Sequence, residues 1–129
     1  MIFYDTTLNR WVRKPGLTTA TWDITTIPIG GIYILPILFC SGADVAVPSY
    51  TTMSLTMKLA GQPLTSAIAT ASAEYVDGNG AVVFEIDMSG VSNQDEDQTS
   101  CFLQVQYEVD SLQYLTTLQE VILQNNYTL

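Results

Sequence analysis

The sequence contains no histidine. That removes the side chain that titrates nearest neutrality and serves most often as general base or metal ligand. A Ser–His or Cys–His nucleophile pair cannot be assembled from this chain. Basic residues are nearly as scarce, four against thirteen acidic ones, for a net charge of −9. Binding nucleic acid through its phosphates needs a cationic face, and an anionic membrane surface would repel the chain for the same reason. There are two cysteines, Cys40 and Cys101, without CxxC spacing. They define neither a disulfide framework nor a zinc site, and read as buried thiols filling apolar space, with pairing left open. No glycine pattern of the phosphate-binding kind occurs; the nearest stretch, "DGNG" at residues 77–80, reads as a hairpin turn.

Long apolar runs are missing too. The longest is residues 32–40, inside "GGIYILPILFCSG". It is less than half of the ~20 residues a membrane-spanning helix needs, and Pro36 interrupts it. It starts too late, after too many polar residues, for a signal peptide. What remains is a strand apolar on both faces, with Pro36 marking an edge or a bulge. One alternating set is Ile32, Ile34, Pro36, Leu38 and Cys40; the other is Tyr33, Leu35, Ile37 and Phe39. In a two-layer sandwich only one set faces the core, so the other needs a partner. The set Tyr33, Leu35, Ile37 and Phe39 is the candidate protein interface. It is joined by the basic, aromatic-bearing segment Arg10, Trp11, Arg13 and Lys14, which can reach toward an acidic surface of a neighbouring subunit.

What the chain does have is apolar content, 47% of its 129 residues, with only 13% charged. That predicts one globular domain with a real core and a surface filled by Thr, Ser, Gln and Asn. The pattern is of strands. Residues 21–27 are rich in Thr, Ile and Trp and run into Pro28. Residues 41–50 read as a loop. Met53, Leu55, Met57 and Leu59 alternate with polar residues, and residues 60–64 read as a turn. Residues 67–76 form a further strand or a helical turn entering one. After the turn come Val82, Phe84, Ile86 and Met88, again at period two, then a polar loop over residues 89–100. Leu103, Val105, Tyr107 and Val109 alternate next, and residues 114–124 are strand-like. The prediction is all-β, an antiparallel β-sandwich of about seven strands, immunoglobulin-like or jelly-roll-like. Residues 1–20 are an N-terminal extension and residues 21–129 the sandwich domain.

Chemistry-bearing clusters are few. Glu85 and Asp87 share a strand face, as do Glu108 and Asp110, but alternation alone places polar residues there. The acidic stretch Asn93, Asp95, Glu96 and Asp97 lacks the glycine and glutamate of an EF-hand and reads as a solvated loop. "NYT" at residues 126–128 formally matches a glycosylation acceptor, a coincidence without a secretory signal. Phe3, Tyr4, Trp11 and Trp22 could stack on sugar rings or pin the N-terminal segment down. No catalytic residue, cofactor or metal is called.

The phrases "IPIGGIYILPILF", "TMSLTMKLAGQPLTSA", "GAVVFEIDMSG" and "CFLQVQYEVDSLQYLTTLQEVILQNN", in that order, resemble β-sandwich domains of tailed-phage and prophage structural proteins. The resemblance is to the immunoglobulin-like N-terminal domains of baseplate upper proteins and related fibre proteins, over roughly residues 21–126. It implies a virion component with no catalytic residues, made in the host bacterial cytoplasm. Such a component docks onto neighbouring virion proteins and assembles as a homo-oligomer, with a trimer favoured. A capsid decoration or head-fibre adaptor protein is the first alternative and a carbohydrate-binding module the second. An enzyme, a nucleic-acid binder and a membrane protein are not expected.

Overall fold

The structure, a computed structural model, describes residues 1–17, 25–60 and 67–125. The chain is all-β, with eleven strands among the described residues. In chain order they are β1 (Ile2–Asp5), β2 (Arg10–Val12), β3 (Thr25–Pro28), β4 (Ile32–Ser41), β5 (Asp44–Val45), β6 (Thr52–Leu59), β7 (Ala67–Val76), β8 (Val82–Asp87), β9 (Gln98–Val109), β10 (Leu112–Leu115) and β11 (Gln119–Gln124). Nine lie in one sheet in the order β2-β1-β4-β8-β7-β6-β9-β11-β3, with β10 attached to β9 and β5 to β4. The sheet is mixed, since β1 runs parallel to β4 and β3 parallel to β11. It is also curled. Trp11 near one end of the order and Ile27 near the other belong to a single buried cluster with Leu35, Phe39, Leu55 and Leu103. The expectation holds at the level of class: the chain is all-β, and its strands form one mixed, curled sheet of nine strands.

Period-two alternation produces the core. Met53, Leu55 and Met57 on β6, Val82, Phe84 and Ile86 on β8, and Leu103 and Val105 on β9 are all buried, as is Val83, while Ser54 and Glu85 between them and Gln106 just after Val105 are exposed. The β7–β8 turn forms as read. The Asp77 carboxylate accepts from the backbone N–H groups of Asn79 and Ala81, and Gly80 takes a φ of +84°. A Cβ at Gly80 would stand 3.0 Å from Val45, so both conformation and space call for glycine. The polar loop is shorter than expected, because β9 already begins at Gln98. Residues 42–50 hold only the two-residue β5. The expected turn at residues 60–64, most of the expected strand at 21–27, Trp22 and the "NYT" stretch lie wholly or mainly outside the described residues.

Residues 2–12, expected within an N-terminal extension, pair into the main sheet. They form β1 and β2 of the same sheet, and Ile2, Tyr4 and Trp11 pack in its core. The buried Asp5 carboxylate ties this hairpin in: it accepts from the backbone N–H groups of Thr7, Leu8 and Gly42, the last of these just past β4.

The stretch expected as one strand over residues 114–124 is two, β10 and β11, both lying along β9. The break is built by Thr116. Its N–H bonds the Val105 carbonyl at 2.9 Å, and its side-chain oxygen takes the place of a backbone acceptor for the Val105 N–H, also at 2.9 Å. The ladder therefore continues through a side chain, and Thr117 is pushed out to meet Trp11, whose indole N–H donates to the Thr117 carbonyl at 2.8 Å.

Candidate functional site

β4 is where the two-faced apolar strand meets its limits. Leu35, Ile37 and Phe39 are buried in the core and Tyr33 packs against it half-buried. The expected contact face is therefore the core face. Phe39 is held between aromatics, with Tyr4 6.2 Å and Tyr107 5.9 Å away, both edge-to-face. Trp11 is likewise buried, and its indole N–H is committed to Thr117. Of the eight residues called as interface, these four are inside, Tyr33 is intermediate, and Arg10, Arg13 and Lys14 are exposed on and just after β2.

The opposite face of β4 changes character along its length. Leu38 and Cys40 are buried, where β1 runs along one edge of the strand and β5 along the other. Ile32 and Ile34 are 66% and 54% exposed. Over Ile32–Pro36, β8 is the sole strand alongside among the described residues, because the β1 ladder starts only at Ile37. Pro36 thus stands where β4 passes from one neighbour to two, which is how a residue without an N–H is accommodated. Among the described residues the result is an open edge with two large aliphatic side chains on the outward face. Beside them on β8 are exposed carboxylates: Asp87 pairs with Ile32 and Glu85 with Ile34. Bonds from the Ser89 N–H and hydroxyl hold the Asp87 carboxyl below its ordinary range. That is the signature of a solvated strand end capped by a turn. A second exposed apolar group, Leu112, Leu115 and Leu118, lies on β10 and beyond it.

The acidic stretch is organised by a residue the sequence did not single out. The Asn125 side chain donates to the carbonyls of Gln94 and Glu96 and accepts from the Gln94 N–H, at 2.7–2.8 Å. Its own N–H bonds the Asp97 carbonyl. This buried amide fixes the loop's backbone and leaves Asp95, Glu96 and Asp97 pointing at solvent. Nothing in the sequence advertises it, because the partners are all backbone groups some thirty residues away.

The two thiols are free and buried. Burial pushes Cys101 up to about 11, against weaker backbone hydrogen bonding at Lys58 and Phe102, and raises Cys40, with Asp5 adding to the effect. Both are protonated and poor nucleophiles at neutral pH. Compared with models of known protein families and with curated proteins, the chain matches none.

Proposed function

We propose that the chain is a structural module of a tailed-phage virion, a β-sandwich of immunoglobulin-like or jelly-roll-like kind that works by assembly. It acts in the tail, baseplate or fibre apparatus, as a homo-oligomer with a trimer favoured, and docks on neighbouring virion proteins. It is not an enzyme, and needs no cofactor, nucleic acid or membrane. A capsid decoration or head-fibre adaptor role is the same chemistry at another place in the particle. What supports the reading is the resemblance of the strand phrases and, above all, one physical observation: the open, outward half of β4.

Ile32 and Ile34 expose more than half of their surface on an edge that could accept another strand. Covering a whole aliphatic side chain of this size contributes ~1.5–3 kcal/mol. Leaving two exposed beside backbone that no described strand pairs is a hazard that monomeric proteins suppress. The contact face is thus Ile32 and Ile34 with Pro36 at its margin, rather than Leu35 and Ile37. The test is Ile32→Asp with Ile34→Asp. The variant should keep its far-ultraviolet circular dichroism and lose self-association; retained assembly would remove the physical support for this reading.

A further inference from the structure

A chain of aromatic rings crosses the molecule. It runs from Trp11 on β2 to Tyr4 on β1 (centroids 4.9 Å apart), to Phe39 on β4 (6.2 Å), to Tyr107 on β9 (5.9 Å) and to Tyr114 on β10 (5.3 Å). Four of the five are buried or half-buried; the last, Tyr114, is 43% exposed. The final step is also the only near-parallel one, with Tyr107 and Tyr114 inclined by just 12°. Tyr107 covers one face of the Tyr114 ring and fixes its orientation, so the ring is presented already ordered. It sits in an open cleft of roughly 380 Å³ between the β9–β10 hairpin and the loop after β5. That is within the usual size range of small-molecule sites. The cleft is lined by the hydroxyl-bearing Thr6, Ser49, Tyr107 and Tyr114, by Asp110 and by the apolar Pro48; the Thr6 hydroxyl donates to the Cys40 carbonyl and has only its acceptor side to offer.

We infer that this cleft is a binding site for a neutral saccharide, with Tyr114 stacking on the apolar face of one sugar ring and Asp110 and Ser49 taking its hydroxyls. Three observations select that class. Asp110 is the one charged residue lining the cleft among the described residues, and the whole chain carries −9, so phosphate, sulfate or carboxylate ligands are repelled. A purely apolar ligand would leave the carboxylate and hydroxyls buried without partners. A quaternary ammonium needs several ring faces turned inward around it, whereas two parallel rings already stacked offer one. A pyranose has one C–H face and a rim of hydroxyls, and matches one ordered ring flanked by a carboxylate and hydroxyl groups. The site is independent of the assembly reading, since it lies on the β9–β10 hairpin rather than on the open half of β4.

The test is titration of the intact, isotope-labelled chain with maltotetraose, cellotetraose and the β1,4-linked N-acetylglucosamine tetramer, followed by amide shifts. At least one should bind with a dissociation constant on the order of 1 mM, with shifts concentrated at residues 46–49 and 107–114. Tyr114→Ala should weaken binding about tenfold or more, whereas Tyr114→Phe, which keeps the stack, should stay within about threefold. Tyr75→Ala, an exposed tyrosine elsewhere, should change nothing. The inference is overturned if none of the three sugars moves those residues at about 20 mM, if affinity survives Tyr114→Ala, or if shifts fall elsewhere. It is also overturned if tetramethylammonium or a proline decamer binds there more tightly than every sugar.

Discussion

Ile34 and Leu35 are adjacent, both aliphatic, and opposite in what they do. Leu35 is buried in the core and Ile34 is more than half exposed. Leu35→Ala should lower unfolding free energy by about 2–5 kcal/mol, the range for emptying a packed core site. Ile34→Ala in a dissociated sample should change it by less than about 0.5 kcal/mol. Urea denaturation of the two variants checks this, and equal losses would show that both faces of β4 are packed. Thr116 is a second single-residue case. Thr116→Val keeps the shape but leaves the buried Val105 N–H without its acceptor, at a cost of about 1–3 kcal/mol, and Thr116→Ser should recover most of it. The titrating groups predict a pH response. Cys101 is raised from 9.0 to about 11, and Cys40, Tyr4 and Tyr107 shift in the same direction, each first of all by burial. The unfolded chain therefore loses these protons before the folded one does. The contribution of Cys101 is complete below about pH 9 and is lost as the pH climbs through about 11, and the other three are lost in the alkaline range in the same sense. The urea midpoint should be unaffected by these groups near neutrality and fall steeply in that alkaline window.

At the scale of elements, legibility followed how local the cause was. β6 could be read directly, because alternation of Met53, Leu55 and Met57 with polar residues is itself the two faces of a strand; β8 was read the same way from Val82, Phe84 and Ile86, although Val83 between the first two is also apolar and buried. The turn between β7 and β8 was equally legible, since Asp77 and Gly80 act within the turn. The β10–β11 break was not, because Thr116 is a good strand former and its effect exists only opposite Val105. The core role of β1 and β2 was hidden as well: Arg10, Arg13 and Lys14 suggested a reaching arm, while what decides the placement is Trp11 finding a carbonyl at Thr117. Sequence could say that β4 was apolar on both faces; where along it the cover ends depends on β1, whose pairing was not readable. Two elements carry predictions. The β9–β10 turn places Asp110 and Ser111 at φ +50° and +66°, so Ser111→Gly should stabilise the protein by about 1 kcal/mol in thermal or urea unfolding. Asn125→Ala should leave the strands intact while amide exchange speeds up at Gln94, whose N–H loses its acceptor.

For the whole molecule, the proposed assembly comes down to which apolar surface would be shared. The open half of β4 and the exposed leucines around β10 are distinct, and each can be made charged without touching the core. On the proposed reading, Ile32→Asp with Ile34→Asp should abolish self-association, whereas Leu115→Asp should leave it intact; the reverse pattern would move the contact to the hairpin. Carboxylate chemistry has a matching whole-molecule expectation, for Glu85 and Asp87 are exposed on β8. Glu85→Gln with Asp87→Asn should fold and assemble normally. The measurement that bears most directly on the central claim is the mass of the purified chain in dilute solution, by sedimentation or mass photometry. The account predicts about three times the 14.2 kDa chain mass, falling to a single chain in the Ile32→Asp, Ile34→Asp protein. A wild-type chain that stays a monomer of 14.2 kDa at every concentration tested would contradict it.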